Sequence, residues 1–274
     1  MTTAIAAPTL SGAPPATGIG GKLRWFISDT LTITRRNLLA LTRIPEALFF
    51  STVQPIMFVL LFRYVFGGAI NTPGTDCVNY LMPGIFVQTV AFGAVSTSIG
   101  LAEDLQKGLI ERFRALPMAR SAVLTGRTTA DLVRNVFVVI IMTAVGFAVG
   151  FRPTTGVLPY LAGILLILLF AYSLSWGFAV IGLSAANSET AQVMSFPLLF
   201  PLTFISSAFV PVDKMPSWLQ GFATYQPVSV TVSACRALMI GGPTASWVIQ
   251  SVAWTIGFLV ILIPLAVHRY RTRT

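Results

Sequence analysis

The chain has 274 residues, 55% of them hydrophobic and only 10% charged, with a formal net charge of +9. A soluble domain runs at about 25% charged residues, so there is too little charge here to coat a water-facing surface, and lipid must cover much of it instead. The Lys and Arg residues sit in short clusters between long apolar runs, which excludes a nucleic-acid surface, and two cysteines with a single histidine exclude a Cys/His metal centre.

Residues 1–21 are rich in Ala, Pro, Thr and Gly and carry no charge. They read as a disordered tail, without the basic start, apolar run and cleavage site of a signal peptide. Everything from 22 to 274 then belongs to one membrane domain. Residues 22–42 form a basic amphipathic segment, with Leu23, Phe26, Ile27, Leu31, Ile33, Leu38 and Leu41 on one side at 100° per residue. Arg24, Ser28, Asp29, Thr32, Arg35 and Arg36 fall on the other, the pattern of a helix lying in the membrane interface.

The apolar runs predict an all-α fold with six transmembrane helices, near 46–66, 78–101, 122–150, 157–183, 191–212 and 246–267. The third starts polar. Arg127, Asp131 and Arg134 recur there at helical spacing and are expected to neutralise one another at its cytoplasmic end. Gly146 and Gly150 form a GxxxG pair that permits close helix contact. Lys22, Arg24, Arg35, Arg36 and Arg43, the 102–121 loop with its flank (Lys107, Arg112, Arg114, Arg120, Arg127), and Arg269, Arg271 and Arg273 mark one side as cytoplasmic. Only Arg63, Arg152, Lys214 and Arg236 mark the other, so both termini are expected inside the cell.

Segment 213–245 is too long for a hairpin and too apolar for a solvated loop. Pro197, Pro201, Pro211, Pro216 and Pro227 punctuate it and its approach. A kinked fifth span followed by a short helix or re-entrant pair near 217–238 at the outer face fits. A seventh span would carry the C-terminal arginines outside. Cys77 and Cys235 both fall on the outer side and are expected as free thiols.

Glu103–Arg120 joins the second and third spans inside the cell. Leu105, Leu109, Phe113 and Leu116 share one face, and Glu103–Lys107 and Lys107–Glu111 make i, i+4 pairs on another. Pro117 ends the helix. Periodicity alone fits a connector resting on headgroups as well as a docking element for a partner.

Two stretches carry a family resemblance. GLIERFRALPMARSAVLTGR resembles the cytoplasmic loop of ABC type-2 transporter permeases, above all their daunorubicin-resistance-like drug-export branch. FPLTFISSAFVPVDKMPSWLQGFATYQPVSVTVSACRAL resembles the outer segment after that branch's fifth span, with Gln226-Pro227 where members often have Asn-Pro. The resemblance runs from about Lys22 onward. It implies a half-transporter paired with a separate ATP-binding subunit and a second permease, as a homodimer or with a related chain. It also implies a coupling helix that docks on the ATPase, carried by Glu103, Asp104, Leu105, Leu109, Glu111, Arg112, Phe113, Arg114, Leu116 and Pro117.

The chain lacks its own engine. A P-loop needs G-x-x-x-x-G-K-[ST], whereas Gly21-Lys22 has Ala16 at the first glycine position and Leu23 in place of Ser/Thr. The expectation is therefore a non-enzymatic permease without a cofactor of its own, in a bacterial plasma membrane, exporting a lipophilic or amphipathic drug, antibiotic or lipid. A polysaccharide-export permease is the nearest alternative. A membrane-embedded enzyme would need ionisable clusters in its spans, and an ion-coupled transporter buried charges. The apolar runs are nearly free of acids, with Glu46, Glu189 and His268 at their edges. Gln54, Gln88, Ser96, Ser98, Ser173, Ser175, Gln192, Ser206 and Ser207 are candidate path-lining residues.

The predicted topology has a direct check. Cysteines placed singly at the N-terminus, at Arg114 and at Thr274 should resist impermeant thiol reagents applied to whole cells, and cysteines at Asp76 and Lys214 should react. External labelling at Thr274 would overturn the predicted orientation.

Overall fold

The computed structural model describes residues 18–43, 45–65, 76–115 and 119–272. It is all-helical over these residues. The elements are α1 (Gly18–Thr42), α2 (Pro45–Leu60) running into a π turn (Leu61–Val65), α3 (Cys77–Gln106), α4 (Leu109–Ala115), α5 (Arg120–Val149) and α6 (Val157–Ser184). They continue with α7 (Ser188–Phe204), a 3-10 turn (Val212–Lys214), α8 (Ser217–Tyr225), α9 (Pro227–Ile240) and α10 (Thr244–Thr272). Four of them, α3, α5, α6 and α10, are long and apolar enough to cross a membrane. The chain is thus a multi-pass membrane protein.

The bundle is built around α3. Two-thirds (67%) of its most apolar window is enclosed by protein, against 11% for α10, so α3 is an axis and α10 an outer wall. Small residues let neighbours approach that axis. A Cβ on Gly84 would run into the Ala208 backbone, and one on Gly182 of α6 into the Ser98 backbone. Ser98 also shares a 2.8 Å hydrogen bond with Ser195 of α7. Two apolar clusters result. One holds the outer half (Phe86, Met142, Phe151, Phe170, Val232, Met239), and the other the cytoplasmic end (Leu101, Ile110, Leu124, Trp176, Leu183, Tyr270).

Several expectations are corrected. The disordered tail was placed through residue 21, but α1 already begins at Gly18; residues 1–17 lie outside the described residues. The GxxxG pair is not a helix contact. Gly150 takes φ +102° as the left-handed stop of α5, with Gly150 N–H to Phe147 O at 3.3 Å and Phe151 N–H to Gly146 O at 2.8 Å. That is a Schellman closure, sealed by buried Phe151. The fifth span, predicted over 191–212, stops at Phe204, and residues 205–211 form a non-helical turn.

The outer segment is the expected pair of short helices, α8 and α9, of which α9 is enclosed. Chain broken at membrane depth must find partners for its carbonyls. Gln226 does this from the α8–α9 junction. Its Nε2 donates to Leu202 O (2.8 Å) and Ile205 O (3.0 Å) at the end of α7, while its oxygen accepts from Val228 N–H (3.3 Å). Arg236, assigned above to the outer surface, instead turns inward. It donates to Ser207 O (2.8 Å) and Tyr80 O (3.2 Å), and its guanidinium lies 3.7 Å from the centroid of the Tyr80 ring. Cys77 and Cys235 are free, Cys235 buried with its Sγ 3.7 Å from Gly163 O.

α1 packs on α5, where a Cβ on Gly126 would meet Ile33 at 2.7 Å. The packed face is Asp29, Thr30, Ile33, Thr34 and Asn37, while Leu23, Ile27 and Leu31 stay exposed as an apolar stripe. Part of the predicted solvated face is therefore turned onto protein, and the apolar face is left for lipid, as an interfacial helix requires.

Glycine at the α3 contacts is a steric requirement. Gly182→Val should cost about 1–3 kcal/mol by overpacking, because backbone cannot yield. Gly257→Ala in α10, where a Cβ meets nothing within 4 Å, should be neutral or slightly stabilising. Thermal unfolding of both variants in detergent checks the contrast.

Candidate functional site: the cytoplasmic helix and the mid-bundle cavity

The 103–117 segment is not one helix. α3 runs on through Glu103, Asp104 and Leu105 to Gln106, and the chain then turns at Lys107–Gly108, with Gly108 at φ +62°. α4 restarts at Leu109. The break removes the predicted common face of Leu105, Leu109 and Phe113. It also removes the Lys107–Glu111 pair, while Lys107 keeps Glu103 at 3.4 Å. Arg114 belongs to α4, but its side chain lies outside the described residues, as do Leu116 and Pro117.

α4 has two faces. Ile110 is 3% exposed and sits in the cytoplasmic cluster, with Leu105 and Phe113 packed against it. That cluster joins the cytoplasmic ends of α3, α5, α6 and α10 through Leu101, Leu124, Leu183 and Tyr270. Glu111 and Arg112 face outward and are exposed. Phe113 was expected as a docking anchor. It is instead half-buried under Arg36, whose guanidinium lies 5.0 Å from the ring centroid.

Asp104 is a junction rather than part of the lever. Its carboxylate accepts from Arg36 of α1 at 2.9 Å and lies 4.0 Å from Arg127 of α5. Arg127 Nη2 crosses to Ser96 O at 3.2 Å, in space that a side chain at Gly100 would fill. Asp29 of α1 accepts from Ala119 N–H at 3.2 Å. Arg127 thus serves Asp104 and does not join the predicted trio.

The other two members of that trio lie deeper. Asp131 and Arg134 fall roughly three to four turns into α5 and are 6% and 8% exposed, so charge missing from the predicted spans is present inside the bundle. They pair with each other at 3.6 Å. Thr97 and Ser96 of α3 donate to Asp131, the latter at 3.3 Å. Arg134 donates to Ser96 Oγ and Gly93 O. Mutual pairing leaves neither free for ion coupling.

Beside them is a cavity of about 310 Å³ between α2, α3, α5 and α7. Of the nine candidate path residues, it gathers Gln54, Gln88 and Ser96. Sequence reasoning missed Arg134, Asn135 and the aromatic wall of Phe58, Phe92 and Phe196 there. The remaining hydroxyls serve the helices. Ser173, Ser175 and Ser206 return to carbonyls three or four residues back, Ser207 bonds Ser229, and Gln192 is exposed.

A family model described as ABC-2 type transporter matches residues 28–240, from within α1 to the end of α9. The chain belongs to the ABC-2 type transporter family. It is 33% identical to the daunorubicin resistance ABC transporter permease protein DrrB1 of Streptomyces coeruleorubidus, over 90% of this chain and 87% of that protein. It is 27% identical to the doxorubicin resistance ABC transporter permease protein DrrB of Mycobacterium tuberculosis, over 81% of this chain and 79% of that protein. Both matches cover the α4 region and the cavity helices of this ABC-2 chain within one nearly full-length correspondence.

The buried pair in this ABC-2 protein predicts non-additive energetics. Asp131→Asn or Arg134→Met alone should cost about 3–5 kcal/mol, because each strands a buried charge, and the double variant should recover a large part. A thermal-unfolding double-mutant cycle measures the coupling. Simple additivity would mean that the two charges do not hold each other.

Proposed function

We propose that this chain is the membrane-spanning permease of an ATP-driven exporter that carries a lipophilic or amphipathic molecule, of the drug or antibiotic kind, out across a bacterial plasma membrane. The observation that carries this reading is the nearly full-length similarity to permeases named for daunorubicin and doxorubicin resistance. Neither a P-loop nor any other nucleotide fingerprint occurs in the sequence, so ATP binds and is hydrolysed on a separate subunit. Two permease chains, identical or related, enclose the path. Six crossings, by α2 with its π turn, α3, α5, α6, α7 and α10, leave both termini in the cytoplasm.

α4 is the coupling element. Its seat supports this role, since a push on Ile110 and Phe113 is delivered to a cluster shared by four helix ends. Close-packed side chains transmit such a displacement instead of absorbing it. The Arg36–Asp104–Arg127 junction ties the same movement to α1 and α5. ATP-driven closure of the partner subunits then biases a two-state bundle between inward-open and outward-open forms.

The two faces of α4 give separable outcomes. Glu111→Arg with Arg112→Glu alters exposed docking charges, so membrane abundance should hold. Interface energy should fall by about 1–3 kcal/mol, with loss of ATPase co-purification and of efflux from vesicles. Phe113→Ala should lower the thermal stability of the membrane chain itself. Full efflux and full co-purification in the double charge variant would remove α4 from the coupling role.

A further inference from the structure

The cavity between α2, α3, α5 and α7 contains two groups that helix packing does not require. Gln88 of α3 and Asn135 of α5 are 3% and 2% exposed, yet Gln88 Nε2 and Asn135 Nδ2 have no hydrogen-bond partner. Unpaired buried N–H groups are unfavourable, and leucine would fill either position without that penalty. Both residues line the same cavity of about 310 Å³, ample for a ligand of several fused rings.

The rest of the lining narrows the ligand. Phe58, Phe92 and Phe196 supply aromatic surface, with the Phe92 and Phe196 ring centroids 6.3 Å apart. Aromatic ligands gain from offset or edge contacts with such rings. Arg134 is the one charged residue in the lining, and its guanidinium is already taken by Asp131, Ser96 and the Gly93 carbonyl. A cation finds no acid there without a partner, and an anion finds no spare cation. What remains is a neutral, aromatic-walled chamber with two idle amide donors.

We propose that Gln88 and Asn135 form a recognition site for an uncharged aromatic molecule bearing a carbonyl oxygen, which accepts hydrogen bonds from the two side-chain amides. That the bound molecule is cargo rests on the permease reading; the binding itself does not. The chemistry follows from geometry that a water-filled void would share, so the test separates carbonyl recognition from simple filling.

The full-length chain in lipid nanodiscs is titrated with 9-fluorenone and with fluorene, which differ by C=O against CH₂ on the same three rings. Wild type should bind fluorenone roughly tenfold more tightly, as one or two net hydrogen bonds provide. Gln88→Leu and Asn135→Leu should each cut that preference several-fold, and together abolish it. Fluorene binding should be unchanged and the Tm held or raised, since an idle polar group has gone. Should Gln88→Leu misfold, Gln88→Met, closer in shape, carries the same comparison. Equal binding of the two compounds by wild type, no binding of either, or a preference that survives the double substitution would overturn the proposal. Efflux with the ATPase subunit is read in parallel. Lost preference with efflux of other compounds intact refutes only this site, whereas preference intact in a chain that supports no ATP-driven efflux refutes the permease reading.

Discussion

A guanidinium inside a membrane bundle must be surrounded by acceptors, and the arrangement that satisfies Arg134 governs how α5 meets α3. Asp131 supplies the counter-charge from one turn earlier, and Ser96, Thr97 and the Gly93 carbonyl come from the facing helix. Only glycine at position 93 admits them, since a Cβ there would stand 2.7 Å from Asn135 Oδ1 and 3.1 Å from Arg134 Nη2. The register of the two helices is therefore set by polar groups, with apolar packing filling in around it. In a bilayer this is the natural division, because lipid competes with apolar contacts but offers nothing to a buried charge. The cavity is a consequence. Helices held at this register by a polar cluster leave space on the side where α2 and α7 close the wall.

The two ends of the bundle solve different problems. At the cytoplasmic end a second ionic junction, Arg36–Asp104–Arg127, fastens α1 to the body next to the turn that frees α4. These groups are partly exposed, so the junction is weaker and more easily rearranged than the deep pair. A connection that has to change state during transport is better placed there than at Arg134. At the outer end α7 stops short, and its orphan carbonyls are taken by Gln226 while Arg236 takes those of Ser207 and Tyr80. The paired helices α8 and α9 are thus tied into the fold by side chains that answer broken backbone.

These features give each part of the chain a mechanical role. α4 receives force, the cytoplasmic cluster spreads it over four helix ends, and the rigid α3–α5 contact carries it past the cavity toward the outer pair. Amide groups at the cavity wall lie on that line. A change in the α3–α5 relation would alter access to Gln88 and Asn135 first, which links the site chemistry to the conformational step.

Composition and hydropathy alone determined the class of this protein, because the free energy of placing apolar runs and charges in a bilayer depends on residue type and length, and hardly on what packs beside them. The interfacial α1, the apolar spans and the short outer helices were legible for that reason, and the loop around Glu111 was legible through its likeness to one family. Which polar residues work together was not. Asp104 and Arg127 are 23 positions apart in sequence, and Gln88 and Asn135 are 47 apart, so no local period connects them. The Lys107–Gly108 break was hidden because a charge-pair pattern outweighs one glycine when only periodicity is read. Gly150 was taken for a contact residue because spacing does not report φ. Those decisions belong to tertiary structure, where a buried donor, a missing Cβ or a carbonyl without a partner is satisfied by whatever the fold brings near it.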